Sequence, residues 1–341
     1  MRSKAAFLIV LMCIVPLFNS EAQEQLQIDI SQRYFVLSTI RVKTLQQELN
    51  QASAAGYRVA YGDASHNILV LEKTTEKYEY RVLNNLGDDF KAAVAQAFHV
   101  VPTTFSSDLG KAVIMEKSMG ATDVSDYVLH STVRTGSLQN DLNQSAAKGY
   151  ELVAISTYGA NNVLMEKRSP DSLPAPARYL LLATTRTSTM QREINESVAK
   201  GYAVVAGSGG EELVIIMEKV TANVPEYLLL ATSRSTTLEK EIKQAAARGF
   251  HPLPRTMLAV WASKTNMFGR SSDEVSIVME KGPQAQSSTY KIIGTSRVGT
   301  FKKELAQAAG EGFEMIGMTL STSEQVGLLR RANIPSSQSG E

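Results

Sequence analysis

The phrase Ser-Ala-Ala-Lys-Gly-Tyr-Glu-Leu-Val at 145–153 returns in near copies along the chain: ASAAGYRV at 52–59, SVAKGYAVV at 197–205, AAARGFHPL at 245–253 and AAGEGFEMI at 308–316. Such a chain is constrained to a tandem array of one structural unit, in which each copy meets its neighbours through equivalent surfaces. Six tyrosine-led apolar segments mark the unit starts, at Tyr34, Tyr80, Tyr127, Tyr179, Tyr227 and Tyr290, with spacings of 46, 47, 52, 48 and 63 residues. The period is a little under fifty, with one large insertion in the fifth unit.

Each unit reads the same way. The first strand ends in a Thr-x-Arg triplet (Thr39/Arg41, Thr132/Arg134, Thr184/Arg186, Thr232/Arg234, Thr295/Arg297). A hydroxyl follows at Thr44, Ser137, Thr189, Thr237 or Thr300, placed to cap a helix. Four residues later an acid (Glu48, Asp141, Glu193, Glu241, Glu304) is suited to the positive end of the helix dipole. Apolar residues at helical spacing, such as Leu138, Leu142 and Ala146, present one stripe to a sheet. The glycine of the repeated phrase can adopt the left-handed conformation that ends a helix, and the aromatic residue after it opens a second strand. Turns are expected at Gly62-Asp63, Gly159-Ala-Asn-Asn and Gly207-Ser-Gly-Gly, each followed by a third strand ending in Met/Leu-Glu-Lys.

The fold class is therefore α+β: six tandem β-α-β-β repeats, each a small, mostly antiparallel sheet with one helix on one face, packed on one another. First strands such as Tyr179-Leu-Leu-Leu-Ala-Thr are apolar on both faces, so a second repeat must cover the face its own helix leaves open. Boundaries fall at 33–75, 78–119, 126–168, 178–220, 226–282 and 289–331, with a hairpin insertion at about 252–273 in the fifth repeat. The Pro-rich stretch 169–177 is a linker, and 332–341 reads as a disordered tail. Repeat two is degenerate: it has Asn85 and Gly87 at the Thr-x-Arg positions, Ala97 for the cap glycine, and a helix from Phe90 shortened by four residues.

Gly149-Tyr150-Glu151-Leu152-Val153 and Leu138…Leu142-Asn143 carry a resemblance. The unit resembles short bacterial βαββ modules of unknown function, whose pattern is a Tyr-Lys-Val-Val strand, a Leu-Asn helix and a Gly-Trp-Glu-Leu-Val exit. Here Tyr or Phe stands for the Trp, and the copies are in tandem. The resemblance implies the fold and brings no catalytic residues.

Residues 1–22 have a basic start (Arg2, Lys4), an apolar run over Ala5–Phe18 and a small-x-small end, as expected of a signal peptide. Losing Arg2, Lys4 and Glu21 with it takes the basic count from 35 to 33 and the acidic count from 34 to 33. A near-neutral mature chain gives no electrostatic reason to bind nucleic acid. The only cysteine, Cys13, lies in the leader, which removes disulfides, thiol catalysis and cysteine metal sites from the mature protein. The expected location is the periplasm or cell exterior, with no membrane span after cleavage.

No catalytic residues, metal ligands or cofactor site can be nominated. The four histidines, at 66, 99, 130 and 251, occupy non-equivalent positions without metal-ligand spacing. Two binding surfaces stand out. The recurrent arginines Arg41, Arg134, Arg186, Arg234 and Arg297 either line a common anion-binding groove or pair with acids of their own helix or the Glu-Lys pairs. Arg255, Trp261, Phe268 and Arg270 of the insertion either contact a partner or pack on the adjacent unit. The function expected is a non-enzymatic binding or scaffold protein, with an envelope protein or an anionic polymer as partner. The alternatives are a hydrolase or lyase of an anionic glycan, and a self-assembling structural protein.

Overall fold

The computed structural model describes residues 26–39, 41–63, 68–105, 113–157, 161–168, 178–260, 273–282, 288–321 and 323–332. Repeat one comprises β1 (Tyr34–Leu37), α1 (Val42–Ala54), β2 (Tyr57–Asp63) and β3 (Ile68–Lys73). Repeat two comprises β4 (Tyr78–Leu83), α2 (Asp88–Ala95), β5 (His99–Val100) and β6 (Val113–Ser118). Repeat three has β7 (Asp126–Thr132), α3 (Thr135–Ala146), β8 (Glu151–Ser156) and β9 (Asn161–Lys167). Repeat four has β10 (Tyr179–Thr184), α4 (Thr187–Val198), β11 (Tyr202–Gly209) and β12 (Leu213–Lys219). Repeat five has β13 (Glu226–Thr232), α5 (Ser235–Ala247), β14 (Phe250–Pro252), β15 (Leu258–Val260) and β16 (Glu274–Lys281). Repeat six has β17 (Ser288–Thr295), α6 (Val298–Gly310), β18 (Glu314–Leu320) and β19 (Gln325–Ala332). Ala332, assigned to the tail by sequence, is the end of the last strand.

In every repeat the third strand runs down the middle of an antiparallel sheet, with the first strand on one side and the second on the other. The central strands are largely buried, as in Leu213–Lys219 and Asn161–Lys167, which explains their unbroken apolar runs. Each helix is held between two sheets. Leu138, Leu142 and Ala146 of α3 pack on Val163 and Met165 of their own repeat and on Tyr179 and Ile216 of the next. Full burial of a leucine is worth about 1.5–3 kcal/mol, and a lone repeat would lose the part of that burial supplied by the next sheet.

Six core clusters of this kind exist, each shared by two successive repeats, and the sixth joins the last repeat to the first. Phe301, Leu305 and Ala308 of α6 pack with Tyr34, Val36, Ile68 and Val70. The array is therefore a closed ring of six blades, with helices between blades. The edges presented by β4, β10, β13, β17 and β1 are covered by the preceding helix. Gln139 donates to the Tyr179 carbonyl and accepts from the Leu181 amide, both at 2.6 Å. Gln46 does the same for Tyr80 and Val82, and Gln191 for Tyr227 and Leu229. One glutamine thus stands in for a missing strand and satisfies an otherwise open sheet edge. Asn143 adds two more such bonds with Tyr179, which gives the Leu-Asn pair of the helix its role.

Several local expectations are corrected. Helices begin after Arg41, Arg134, Arg186, Arg234 and Arg297, so Thr44, Ser137, Thr189, Thr237 and Thr300 fall inside the first turn and cap nothing. The capping-type hydroxyl is instead the threonine of Thr-x-Arg. Thr132, Thr184, Thr232 and Thr295 accept the arginine amide two residues on at 3.1, 3.2, 3.4 and 3.2 Å, closing a turn that launches the helix. Glu48, Asp141, Glu193, Glu241 and Glu304 lie beyond the first turn, which holds no acid in these helices; Glu48 instead accepts from Thr39. Helix α2 starts at Asp88, ahead of Phe90.

The helix stop itself is as expected. Gly56, Gly149, Gly201, Gly249 and Gly312 have φ between 81° and 87°, and Ala97 takes the same place at φ 64°. Tyr150 and Gly149 amides bond back to Ser145 and Ala146 carbonyls, the paired closure of a left-handed cap. Gly62-Asp63 and Gly207–Gly209 lie within β2 and β11, not in turns. At Gly209 a Cβ would sit 2.2 Å from the Ala259 carbonyl oxygen, so this glycine permits close approach of the neighbouring blade's β15.

Candidate binding site at the ring axis

The second strands face the ring axis, and their irregularities shape it. In repeats one, three, four and six the strand carries a β-bulge, at Val59/Tyr61, Leu152/Ala154, Val204/Ala206 and Met315/Gly317. The amide next to each bulge donates to the first tyrosine of the following blade. Val59 bonds the Tyr80 hydroxyl at 2.9 Å, Leu152 that of Tyr179 at 3.1 Å, Val204 that of Tyr227 at 3.2 Å and Met315 that of Tyr34 at 2.8 Å. Repeat two makes the same bond from Val100 to Tyr127 at 3.4 Å. In repeat five the matching residue is Pro252, which has no N–H.

Repeats two and five break the six-fold pattern in one shared way. Val101-Pro102-Thr103-Thr104-Phe105 and Leu253-Pro254-Arg255-Thr256-Met257 each leave the strand as a single 3-10 turn, over Pro102–Thr104 and Pro254–Thr256. Proline opens each turn, and Thr104 and Thr256 close them by donating to the Val101 and Leu253 carbonyls at 2.9 and 2.7 Å. The ring is thus two similar halves of three blades. The shared aliphatic-Pro-x-Thr phrase is visible in the sequence, but its two copies lie about 150 residues apart in repeats of different length.

Both turns project into a cavity of about 780 Å³ lined by all six repeats. Tyr61 comes from repeat one, Pro102, Thr103 and Phe105 from two, Glu151 to Ile155 with Glu166 and Arg168 from three, and Ala206 and Gly207 from four. Repeat five supplies Pro254, Arg255 and Met257, and repeat six Ile316, Gly317 and Met318. The walls are about equally polar and apolar, and the charge is concentrated in four side chains.

Three of those charges are compensated. Glu166, only 4% exposed, accepts from the Tyr127 hydroxyl at 2.6 Å, Arg168 Nε at 2.8 Å and His99 Nδ1 at 3.1 Å. Burial alone would raise its pKa, but the hydrogen bonds from His99, Tyr127, Ser125 and Arg168 prevail and lower it to about 2. Glu151 is 3.3 Å from Arg178, which also holds Glu218 at 2.6 Å. Arg255 differs. Its Nη2 donates to the Val153 carbonyl at 2.8 Å, and among the described residues it has no carboxylate partner. Burial pushes its pKa below the usual guanidinium value, although the side chain remains open to the cavity.

The five recurrent arginines are elsewhere. Arg41, Arg134, Arg186, Arg234 and Arg297 are exposed at the helix starts. None lines the cavity, and none forms an ion pair among the described residues. Their expected pairing with the Glu-Lys acids fails because of strand register. Tyr34 lies opposite Glu72 and Tyr127 opposite Glu166, so each glutamate sits at the start of the first strand while the arginine follows its end. These glutamates pair there with other groups: Glu72 with Arg33, Glu116 with Arg58, Glu166 with His99 and Arg168, Glu218 with Arg178, and Glu280 with His251. Of the insertion residues, Arg255 lines the cavity, whereas Trp261, Phe268 and Arg270 lie outside the described residues. Met257 and Leu258 pack in two inter-blade cores. His130 bonds Ser145 at 2.8 Å, and His66 lies outside the described residues.

Six βαββ blades closed head to tail around a lined axial cavity define a ring-shaped tandem-repeat protein. Residues 125–164 match the family model described as polyglycine hydrolase-like, structural repeat. The matched stretch takes in β7, α3, β8 and most of β9, which is one repeat of the ring. The match supports a repeat module and does not extend to the bacterial module family that the unit resembles. No curated protein matches the chain.

Proposed function

We propose that this chain is an exported, non-enzymatic repeat protein of the periplasm or cell exterior that binds a ligand in the cavity on its ring axis. The observation that carries this reading is a cavity of about 780 Å³ to which every repeat contributes and which Arg255 lines without an acid partner among the described residues. Its volume falls within the roughly 300–1,000 Å³ of ordinary ligand sites.

The hydrolase or lyase reading has support only in the words of the matched family description, and the matched part is the structural repeat. Acid–base chemistry would need a carboxyl group free to exchange a proton. Glu151 and Glu166, the carboxylates lining the cavity, are both engaged with cations.

A thermal-shift screen of a small-molecule library tests the proposal. Thr103→Trp, an exposed position on the repeat-two turn, would fill the cavity without overpacking a core. The expected result is a compound that stabilises the unaltered chain and fails to stabilise the variant. Hits that stabilise both equally would move the site away from the axis. A saturable turnover abolished by a single substitution would overturn the non-enzymatic reading.

A further inference from the structure

We infer that the axial cavity receives a single carboxylate carried on an apolar body, held by the Arg255 guanidinium. This rests on the reading of the axis as a binding site and names the class of ligand. A guanidinium presents five N–H donors in a plane that matches a carboxylate in bidentate fashion. The Val153 carbonyl uses one of them. Arg255 is exposed to the cavity, so its remaining donors are free to meet a ligand, while the protein around it still weighs against its charge. An entering carboxylate offsets that effect and forms charge-assisted hydrogen bonds with the guanidinium.

The lining also limits the number of charges a ligand can bring. Glu166 is held by Arg168, and Arg178 is shared between Glu151 and Glu218, so Arg255 is the cation of the lining with no carboxylate beside it among the described residues. One ligand carboxylate is what that guanidinium can take. A polyanion would bring its further charges against Glu151 and Glu166, so sulfated or uronic polymers are disfavoured at this site. Phe105, Met257, Ile316 and Met318 line the same space and suit an aliphatic or aromatic body. Thr103 is the pseudo-two-fold counterpart of Arg255, so the second turn carries no charge and the site is polar on one side only.

Two sources share this chemistry: a small apolar acid and the C-terminal carboxylate of an extended peptide. Isothermal titration calorimetry of the purified chain with octanoate, octanamide, and an apolar tetrapeptide bearing either a free or an amidated C-terminus separates them. Each acid should bind at least tenfold more tightly than its amide, a comparison that needs no variant. Arg255→Gln should weaken acid binding about 10- to 100-fold and leave amide binding unchanged. Tighter binding of the free-acid peptide than of octanoate identifies a chain terminus, and the reverse identifies a small acid. Equal binding of acid and amide, both lost in Thr103→Trp, would overturn the carboxylate while sparing the axial site. Preferential binding of a sulfated oligosaccharide at Arg255, or no binding by any acid, would overturn the inference outright, and the library screen then decides the fate of the axis alone.

Discussion

Removing one hydroxyl tests how the ring closes. Tyr34, 7% exposed, accepts the buried Met315 amide across the junction of the first and last repeats at 2.8 Å. Tyr34→Phe keeps the ring in place and takes away only the acceptor, which leaves the amide without a partner. A buried N–H so orphaned costs about 1–3 kcal/mol. The same cost is expected for Tyr80→Phe, Tyr179→Phe and Tyr227→Phe, whose acceptor bonds run from 2.9 to 3.2 Å. Tyr290→Phe is the internal control. Tyr290 is as buried, at 3%, but the residue at the donor position of the preceding blade is Pro252, which has no N–H, so no amide is orphaned; only the bond between its hydroxyl and Ser288 is lost, and the cost should be no more than about 1 kcal/mol. Urea unfolding of the five variants, monitored by circular dichroism, gives the comparison. If Tyr290→Phe destabilises as much as Tyr34→Phe, or Tyr34→Phe is within about 0.5 kcal/mol of the unaltered chain, the tyrosine–bulge bond is not what ties the blades.

Ala97, the one non-glycine residue at positive φ among the described residues, should give a more stable chain as Ala97→Gly, by about 1 kcal/mol measured as a rise in melting temperature. Gln139→Ala removes two bonds to the edge of β10 and should cost about 1–3 kcal/mol, with increased hydrogen exchange at the Leu181 amide. The pair of His99 and Glu166 predicts opposite pH slopes. The hydrogen bond to Glu166 raises the His99 pKa against the opposing effect of burial, with Asp123 adding to the rise and Arg168 opposing it. Its stabilisation is complete below the ordinary histidine value of 6.5 and is lost as pH climbs through the raised folded value; the fall in melting temperature above pH 6.5 should be smaller in His99→Gln. Glu166 works in the other direction: its contribution, about 3 kcal/mol for a pKa lowered to about 2, is present above the ordinary glutamate value of 4.5 and fades as pH falls toward 2. Glu166→Gln should flatten that acid limb in a melting series.

Much of the fold is legible in single residues. The glycine after each helix announces its stop because only a residue free of a β-carbon takes positive φ at little cost, and Ala97 shows that the frame persists where the glycine is lost. The double-sided apolar strands announce that a second repeat must cover them. What misled was the choice of capping hydroxyl. Both threonines lie at plausible positions, and only backbone geometry decides that the one in Thr-x-Arg takes the amide. Arg255 stood out in sequence only as part of an insertion. Its proline-threonine frame has a partner at Pro102 that the differing repeat lengths conceal.

The sequence by itself determined six βαββ units, their helix stops and their apolar faces, because these follow from local propensity and from periodicity within some fifty residues. Tertiary structure alone decided that the sixth unit returns to the first, since closure depends on the small rotation each blade adds and no residue encodes that sum. It likewise decided that the repeated arginines and glutamates stand at opposite ends of a blade, because antiparallel register separates residues that the reading order places together. And it brought Arg255 to the axis, where its charge has no carboxylate partner among the described residues.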